Sequence, residues 1–155
     1  MLVRLIYKSR VSRDFSFAAS LDIFSKSTVN NRKLEITGLL ISNRKEFLQV
    51  LEGPAGNVNE LYKVILGDKR HEAAQLISYR EIETRLFQDW RMRPFTLEWI
   101  EEPFRSFVGR KYDSGNAFEN LPDDPDLALS LLLDAKILAE KSKGRKVSEE
   151  TASDT

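Results

Sequence analysis

Apolar and polar residues alternate along several short segments of the chain, with the period of two that is typical of strands. In the first segment, Val3, Leu5 and Tyr7 share one face of the predicted strand. A polar Asn-Arg-Lys sequence separates the second and third segments, which is the spacing of a hairpin. Pro94 places the last segment at a sheet edge or a bulge. The five predicted strands cover residues 2–9, 36–42, 46–53, 73–83 and 90–100.

Two segments between these strands place their apolar residues at helical spacing instead. For the first of them, Asp14 or Ser16 is a suitable cap at the start. For the second, Asn57 is the expected cap and Gly67 the expected end. The two predicted helices cover residues 16–29 and 58–66.

The order strand, helix, strand, strand, helix, strand, with one more strand after it, predicts a ferredoxin-like α/β sandwich of the α+β class. In this fold two helices pack on one face of a mixed sheet. The first and third strands lie side by side in its centre. This arrangement brings residues of the first and third predicted strands next to each other.

The pattern changes after residue 101, where a short helix is followed by a longer one. Asp124 is the expected cap of the longer helix and Pro125 its first residue. Because residues 127–139 are apolar around most of the helix, we expect it to cover the other face of the sheet and to contact another subunit. The expected parts are one domain over residues 1–100, a helical extension over 101–141 and a disordered tail over 142–155.

Composition removes several classes of function. The 155 residues suit one domain, and 24 basic against 24 acidic side chains leave no global field that favours nucleic acid or an anionic membrane. No apolar run is long enough to span a bilayer. The absence of cysteine and the strand pattern at the start predict a cytoplasmic protein, and the single histidine, His71, excludes sites with several histidine ligands.

Gln49 is the polar residue that fits its surroundings least, because it shares a face with Phe47 and Leu51 inside the buried sequence FLQVLEG. Burying an unpaired amide costs on the order of 1–3 kcal/mol. The adjacency of the first and third strands allows Tyr7 and Gln49 to bond to each other. We therefore predict a hydrogen bond between them.

Further polar or unusual residues fall near this pair. Asn30 and Asn31 close the first predicted helix, and Trp90 and Met92 share one face of the last strand. Each has an ordinary explanation when taken singly, as a helix end or as core filling. Together they predict a polar cluster on one side of the sheet, under the first helix, that suits a planar heteroaromatic ligand. The charged turn from Asp68 to His71 is, by itself, typical of a solvated segment.

The motifs RLIYKS, VNNRKLEITGLLI, FLQVLEG, LYKVILGDKRH and R-L-F-Q-D-W-R-M occur in this order over residues 2 to about 95. In order and spacing they resemble the BLUF domain, a flavin-binding blue-light sensor. The resemblance covers about two thirds of the chain and implies the same ferredoxin-like fold. It also implies that the isoalloxazine ring lies between the two helices.

The resemblance assigns roles to individual residues. It makes Tyr7 the electron donor to the flavin and places the Gln49 amide between this phenol and the N5/C4=O edge of the ring. Asn31 would bond the pyrimidine-like edge, and Trp90 and Met92 would respond to the signalling state. Ile23 and Ile65 would enclose the ring, and the ribityl or phosphate end would leave the pocket at Asp68, Arg70 and His71. The flavin-binding residues that it implies are Tyr7, Ile23, Asn30, Asn31, Gln49, Ile65, Asp68, Arg70 and His71.

Two positions depart from the family pattern. Arg91 stands where relatives often have serine or alanine, and its strand parity points it away from the flavin face. Val64, with Lys63 beside it, stands where several relatives carry a basic residue before the isoleucine. This departure leaves the phosphate contact open, and it does not decide between FMN and FAD. The expected cofactor is a flavin, with FAD as the first choice and FMN as the alternative.

The function implied by the resemblance is that of a photoreceptor rather than an enzyme. Tyr7 would reduce the excited flavin, and a rotated or tautomerised Gln49 would give a red-shifted signalling state. With no effector domain attached, the chain resembles short BLUF proteins, whose output is a change of oligomeric state or the binding of a separate effector, such as a response-regulator-like protein. Homo-oligomers are expected.

Two alternatives stay open on the same fold. One is a light-independent module that binds a small ligand or a protein. The other is an acylphosphatase-like hydrolase that uses Arg10 or Arg13 with Asn31. The sequence RVSRD disfavours this second alternative, because it lacks the glycines that let backbone amides enclose an oxyanion.

Overall fold

The computed structural model describes residues 1–14, 16, 33–112 and 119–153. The helix predicted over residues 16–29 lies outside these residues except for Ser16, and so do Ile23, Asn30 and Asn31. Helices are numbered below in chain order, counting only those within the described residues. The elements are β1 (Leu2–Val11), β2 (Thr37–Ser42), β3 (Glu46–Pro54), α1 (Ala55–Leu66), β4 (His71–Ile82), β5 (Arg91–Thr96), α2 (Phe104–Lys111) and α3 (Pro125–Ser153), with a short 3-10 helix at Leu97–Trp99.

The five strands form one mixed sheet in the order β4-β1-β3-β2-β5. β1 is antiparallel to both of its neighbours, β3 and β4, and β5 joins β2 in parallel at the edge. The predicted ferredoxin-like order and the central position of β1 and β3 are confirmed. Pro94 lies in the edge strand β5, beside an irregularity in its pairing with β2, as expected.

Strand alternation gives the sheet two differently occupied faces. One face carries Val3, Leu5, Tyr7 and Leu51 and packs against Val58 of α1. We call it the site face. The other face carries Ile6, Leu39, Ile41, Leu48 and Val50 and packs against the apolar residues of α3. We call it the α3 face.

The helix α3 covers the α3 face, as its apolar circumference predicts. Asp124 caps its first turn, because the Asp124 Oδ1 atom accepts bonds from the backbone of Asp126 and Leu127, both at 3.0 Å. Lys8 fastens the segment before the helix: its Nζ atom donates to the Leu121 carbonyl at 3.0 Å and pairs with Asp123 at 2.5 Å. No helix within the described ranges is long and apolar enough to cross a membrane.

Several predicted boundaries differ from the structure, and two of the differences concern helices. The helix α1 begins at Ala55, directly after Pro54, so Asn57 lies in the first turn and does not cap it. Its side chain instead donates to the Leu34 carbonyl at 2.8 Å. The helix α3 continues to Ser153, into the tail for which disorder was predicted. The lysine, arginine and glutamate residues that make this tail polar are also good helix formers.

A buried carboxylate joins β3 to the segment that precedes β5. Glu52 is fully buried, pairs with the Arg4 Nε atom at 2.9 Å and accepts from the Phe87 backbone at 2.6 Å and the Leu86 backbone at 3.1 Å. Arg85 adds bonds to the Glu52 and Glu35 carbonyls, at 3.0 and 2.7 Å. The turn before β5 is therefore fixed to the centre of the sheet.

Candidate functional site

The centre of the site is a hydrogen bond between two buried side chains on adjacent strands. Tyr7 in β1 and Gln49 in β3 are direct partners in the antiparallel register, so their side chains leave the sheet on the same face. The Tyr7 hydroxyl donates to the Gln49 Oε1 atom. Tyr7 is 0% and Gln49 is 2% exposed. The predicted bond is confirmed, and it satisfies the amide oxygen that the strand buries.

The surroundings of Tyr7 keep its hydroxyl protonated. Burial raises the pKa of the Tyr7 phenol well above its ordinary value, and the nearby Tyr62 and the Asp68 carboxylate raise it further. The Tyr62 ring in α1 lies 5.4 Å from the Tyr7 ring, measured between centroids, at an interplanar angle of 51°. Tyr7 is thus a neutral phenol with a positioned proton acceptor.

Tyr62 is a neighbour that the sequence analysis did not single out, because it belongs to the apolar stripe of its helix. Burial also raises the pKa of its phenol. Its contact with Tyr7 follows from the crossing of α1 over β1, which the helix periodicity alone does not define. Ile65, one turn further along α1, is partly buried and packs against the apolar residues of the site face, which we call the site-face cluster.

The turn after α1 is more buried than a solvated charged segment. The Asp68 Oδ1 atom accepts from the backbone of Arg70 at 2.9 Å and from its Nε atom at 3.2 Å. His71 is 7% exposed, and its Nε2 atom bonds the Ile65 carbonyl. The His71 ring meets the Tyr7 ring edge-on, with 6.3 Å between centroids. The structure therefore brings Asp68, Arg70 and His71 to the end of α1, with Asp68 and His71 close to Tyr7.

Trp90 does not lie where the sequence predicted. It precedes β5, is 5% exposed and belongs to the core of the α3 face, so it is on the opposite side of the sheet from Tyr7 and Gln49. Its Nε1 atom donates to Glu140 of α3 at 3.3 Å. The prediction of one cluster with Tyr7 and Gln49 was wrong because it continued strand parity through residue 90, which still belongs to the preceding turn.

The remaining candidates fall into two groups. Ile23, Asn30 and Asn31 lie outside the described residues. For Met92, the structure describes the backbone in β5. The described part of the site is thus formed by the site face, α1 and the turn that follows it.

Comparison with known proteins decides the family. The family model "BLUF: Sensors of blue-light using FAD" matches residues 2–93, which include Tyr7, Gln49 and the turn after α1.

The chain belongs to the BLUF family.

Individual relatives agree with this assignment. The blue light- and temperature-regulated antirepressor BluF of Escherichia coli K12 is 35% identical over 71 residues, which are 46% of this chain and 18% of the relative. The dark-state structure of the BLUF protein BlrB is 34% identical with a TM-score of 0.62, over 73% of this chain and 84% of BlrB. BlsA in its photo-activated state, at 23% identity, resembles this chain in fold, with a TM-score of 0.71 over 87% of this chain and 94% of BlsA.

The described residues of this BLUF chain fit a flavin. An isoalloxazine ring needs apolar walls and hydrogen-bonding groups at one edge. The site-face cluster supplies the walls, and the Tyr7–Gln49 pair supplies the polar edge. In addition, the Ser9 Oγ and His71 Nδ1 atoms are buried without a hydrogen-bond partner in the described part of the chain. Atoms of this kind are expected where a polar ligand binds.

Proposed function

We propose that this chain is a blue-light photoreceptor that binds a flavin non-covalently beside Tyr7 and uses Gln49 as its switch. The observation that carries the proposal is the hydrogen bond from the buried Tyr7 phenol to the Gln49 amide. This bond joins Tyr7, which can give up an electron together with its proton, to Gln49, whose amide can form hydrogen bonds in two orientations. Membership of the BLUF family supports the assignment.

When bound, a flavin excited by blue light would supply a strong oxidant. Tyr7 would give up an electron to this flavin, and its hydroxyl proton would move along the existing bond to the Gln49 Oε1 atom. Because the Tyr7 pKa is raised, the phenol enters this step protonated. The electron and a proton would then both return to Tyr7, which becomes a neutral phenol again, and the Gln49 side chain would be left rotated or tautomerised. Its new orientation offers an N–H or O–H donor where a carbonyl oxygen was before.

Some of the proposed flavin-binding residues lie within the described ranges, and others lie outside them. Tyr7, Gln49 and Ile65 line the site face and α1, and Asp68, Arg70 and His71 follow at the end of α1. Ile23, Asn30 and Asn31 would come from the segment between β1 and β2. We propose FAD as the cofactor, because the family description names it, with FMN as the alternative.

The output would pass through the sheet to α3, because Trp90 bonds Glu140 on the α3 face. We propose that Trp90 and Met92 report the change of Gln49 to this helix and that the result is a change of homo-oligomeric state or the binding of a separate effector. A response-regulator-like protein is one such effector. The chain would act as a sensor and not as an enzyme. The acylphosphatase alternative would use Arg10 or Arg13 as its active-site arginine. In the structure, however, the Arg10 Nε atom pairs with Glu72 at 3.3 Å.

The proposal is tested by the colour of the purified chain and by its response to light. We expect a yellow protein whose flavin absorption shifts to the red under blue light and recovers in the dark. Tyr7→Phe keeps the ring and its packing but removes the donated proton, so it should bind flavin and lose the shift. A chain that takes up no flavin on reconstitution contradicts the photoreceptor function, and a normal shift in Tyr7→Phe removes Tyr7 from the mechanism.

A further inference from the structure

The strand β4 lies at one edge of the sheet, and β1 is its only partner strand within the ranges that the structure describes. β4 is 12 residues long, and residues 73–79 within it contain neither a charged side chain nor a proline. Charges and prolines are among the features that usually prevent a sheet edge from pairing with another chain. The outer edge of β4 therefore offers unprotected backbone N–H and C=O groups to a further strand.

The partners on β1 define how far along this edge each β4 residue lies, because the pairing of the two strands shifts twice. The three pairs needed here are Glu72 with Arg10, Leu76 with Tyr7 and Arg80 with Arg4. Glu72 and Arg80 thus lie at equal distances on either side of Leu76. Both pair with even-numbered residues of β1, so both lie on the α3 face. A twofold axis at Leu76, perpendicular to the sheet, exchanges their positions.

On the α3 face this axis brings opposite charges together. If a second copy pairs antiparallel along the edge, Glu72 of each copy faces Arg80 of the other. Arg80 is exposed and lies beside a second arginine, Arg4, in its own chain. A carboxylate from the second copy would offset this like-charge neighbour. The twofold symmetry forms the Glu72–Arg80 pair twice.

On the site face the same axis brings large side chains to small ones. Tyr79 pairs with Leu5 of β1, and Ala73 and Ala74 lie at the corresponding distance on the other side of Leu76. The Tyr79 ring of each copy would therefore cover the two alanine methyl groups of the other, and the two Leu76 side chains would meet at the axis. Leu76 is 51% and Tyr79 is 41% exposed in the single chain, so both have apolar surface to bury.

We propose that β4 pairs antiparallel with β4 of a second copy about Leu76, which joins two five-stranded sheets into one sheet of ten strands. The edge is self-complementary in charge, in side-chain size and in its free backbone groups. A second copy of this chain is therefore the partner that fits it. This pairing needs neither flavin nor light, so it goes beyond the proposed function, and it leaves α3 free to contact an effector.

A single introduced cysteine tests the position of the axis, because the chain itself contains no cysteine. In Leu76→Cys, the thiols of the two copies would face each other with about 4.5–5.5 Å between the Cα atoms, a distance that a disulfide spans. We expect Leu76→Cys to form a covalent dimer under mild oxidation roughly tenfold faster than Leu127→Cys. Leu127 lies in α3 and is 46% exposed, which makes it the matched control. Non-reducing electrophoresis measures both rates in the dark.

Charge reversal tests the Glu72–Arg80 pairs without a covalent link. Glu72→Lys and Arg80→Glu each place like charges opposite each other twice, so each variant should self-associate about tenfold more weakly than the unaltered chain. An equimolar mixture of the two variants restores both pairs of opposite charges. It should therefore associate as tightly as the unaltered chain. Sedimentation velocity over a series of concentrations in the dark measures all four samples.

Three results overturn the proposed pairing: an unaltered chain that is monomeric at about 1 mM, equal rates for Leu76→Cys and Leu127→Cys, or a mixture no tighter than its single variants. The substitutions change half-buried or exposed residues, so the Tm of each variant should stay within about 4 °C of the unaltered chain. A yellow chain with a normal red shift that fails these tests would contradict the pairing and leave the photoreceptor function intact.

Discussion

Tyr7 shows at the scale of one residue how burial alters the response of the protein to pH. In the unfolded chain its phenol ionises near pH 10, whereas burial raises the pKa in the folded chain well above that value. The folded state thus binds more protons than the unfolded state once the pH exceeds about 10. The contribution of Tyr7 to stability is complete below this pH and is lost as the pH rises through the interval between the two pKa values.

Tyr7→Phe should remove this alkaline loss. Between pH 10 and 11 we expect the free energy of unfolding of the flavin-free chain to fall by up to about 1.4 kcal/mol per pH unit more than that of Tyr7→Phe. Urea unfolding at a series of pH values measures the difference. Tyr79→Phe, which changes an exposed residue of β4, is the control. Parallel curves for the unaltered chain and Tyr7→Phe would show that the phenol is not desolvated.

At the scale of elements, the strand β3 serves both faces of the sheet. Gln49 lies on its site face, and Glu52 lies on its α3 face, where it holds Arg4 and the turn of Leu86 and Phe87. A fully buried carboxylate is tolerated only when such partners surround it. Glu52 is therefore the residue that links β3 to the turn before β5.

Glu52→Ala should cost about 3–5 kcal/mol of unfolding free energy, because it leaves the Arg4 guanidinium buried without its partner. Chemical denaturation measures this loss. Glu72→Ala breaks the pair with Arg10, whose side chains are 41% and 58% exposed, and it should change stability by less than about 1 kcal/mol. If the two variants lose similar amounts, the Arg4–Glu52 pair is not a structural link.

The same elements show what could be predicted from the sequence. The pairing of β1 with β3, and with it the Tyr7–Gln49 bond, follows from alternation and strand order, because a period of two assigns each side chain to a face. The prediction placed Trp90 on the wrong face of the sheet, because the turn that ends at Trp90 interrupts the alternation of side chains. The partners of Glu52 on that turn are far from it in the sequence, and Phe87 is 35 positions away. No local sequence pattern connects residues that are so far apart.

At the scale of the whole molecule, polar contacts between described residues fasten α3 to the sheet and to the turn before β5. Lys8 and Glu46 hold the segment before the helix, and Lys136 reaches the Leu86 carbonyl at 2.7 Å. Burial lowers the pKa of the Lys8 ammonium, but its bonds to Asp123 and Glu46 outweigh this effect and raise it overall. Such contacts hold α3 in place against the sheet.

Blue light should loosen α3 if the proposed output is right. We expect amide hydrogen exchange over the first turns of α3 to become roughly tenfold faster in the light, which corresponds to ~1.4 kcal/mol. Gln49→Leu should abolish the difference, and Lys8→Met should raise exchange already in the dark. Size-exclusion chromatography of the same samples reports the oligomeric state. Equal exchange in the dark and in the light contradicts an output through α3.

Tyr7 and Lys8 are consecutive residues, yet one forms the site and the other fastens α3 on the opposite face. The sheet therefore separates two surfaces that can vary independently: substitutions that remodel α3 or its attachment need not alter the packing around the Tyr7–Gln49 pair. Under selection, such a chain can acquire a new output while its light-absorbing half stays unchanged. One strand of alternating side chains is enough to give it that freedom.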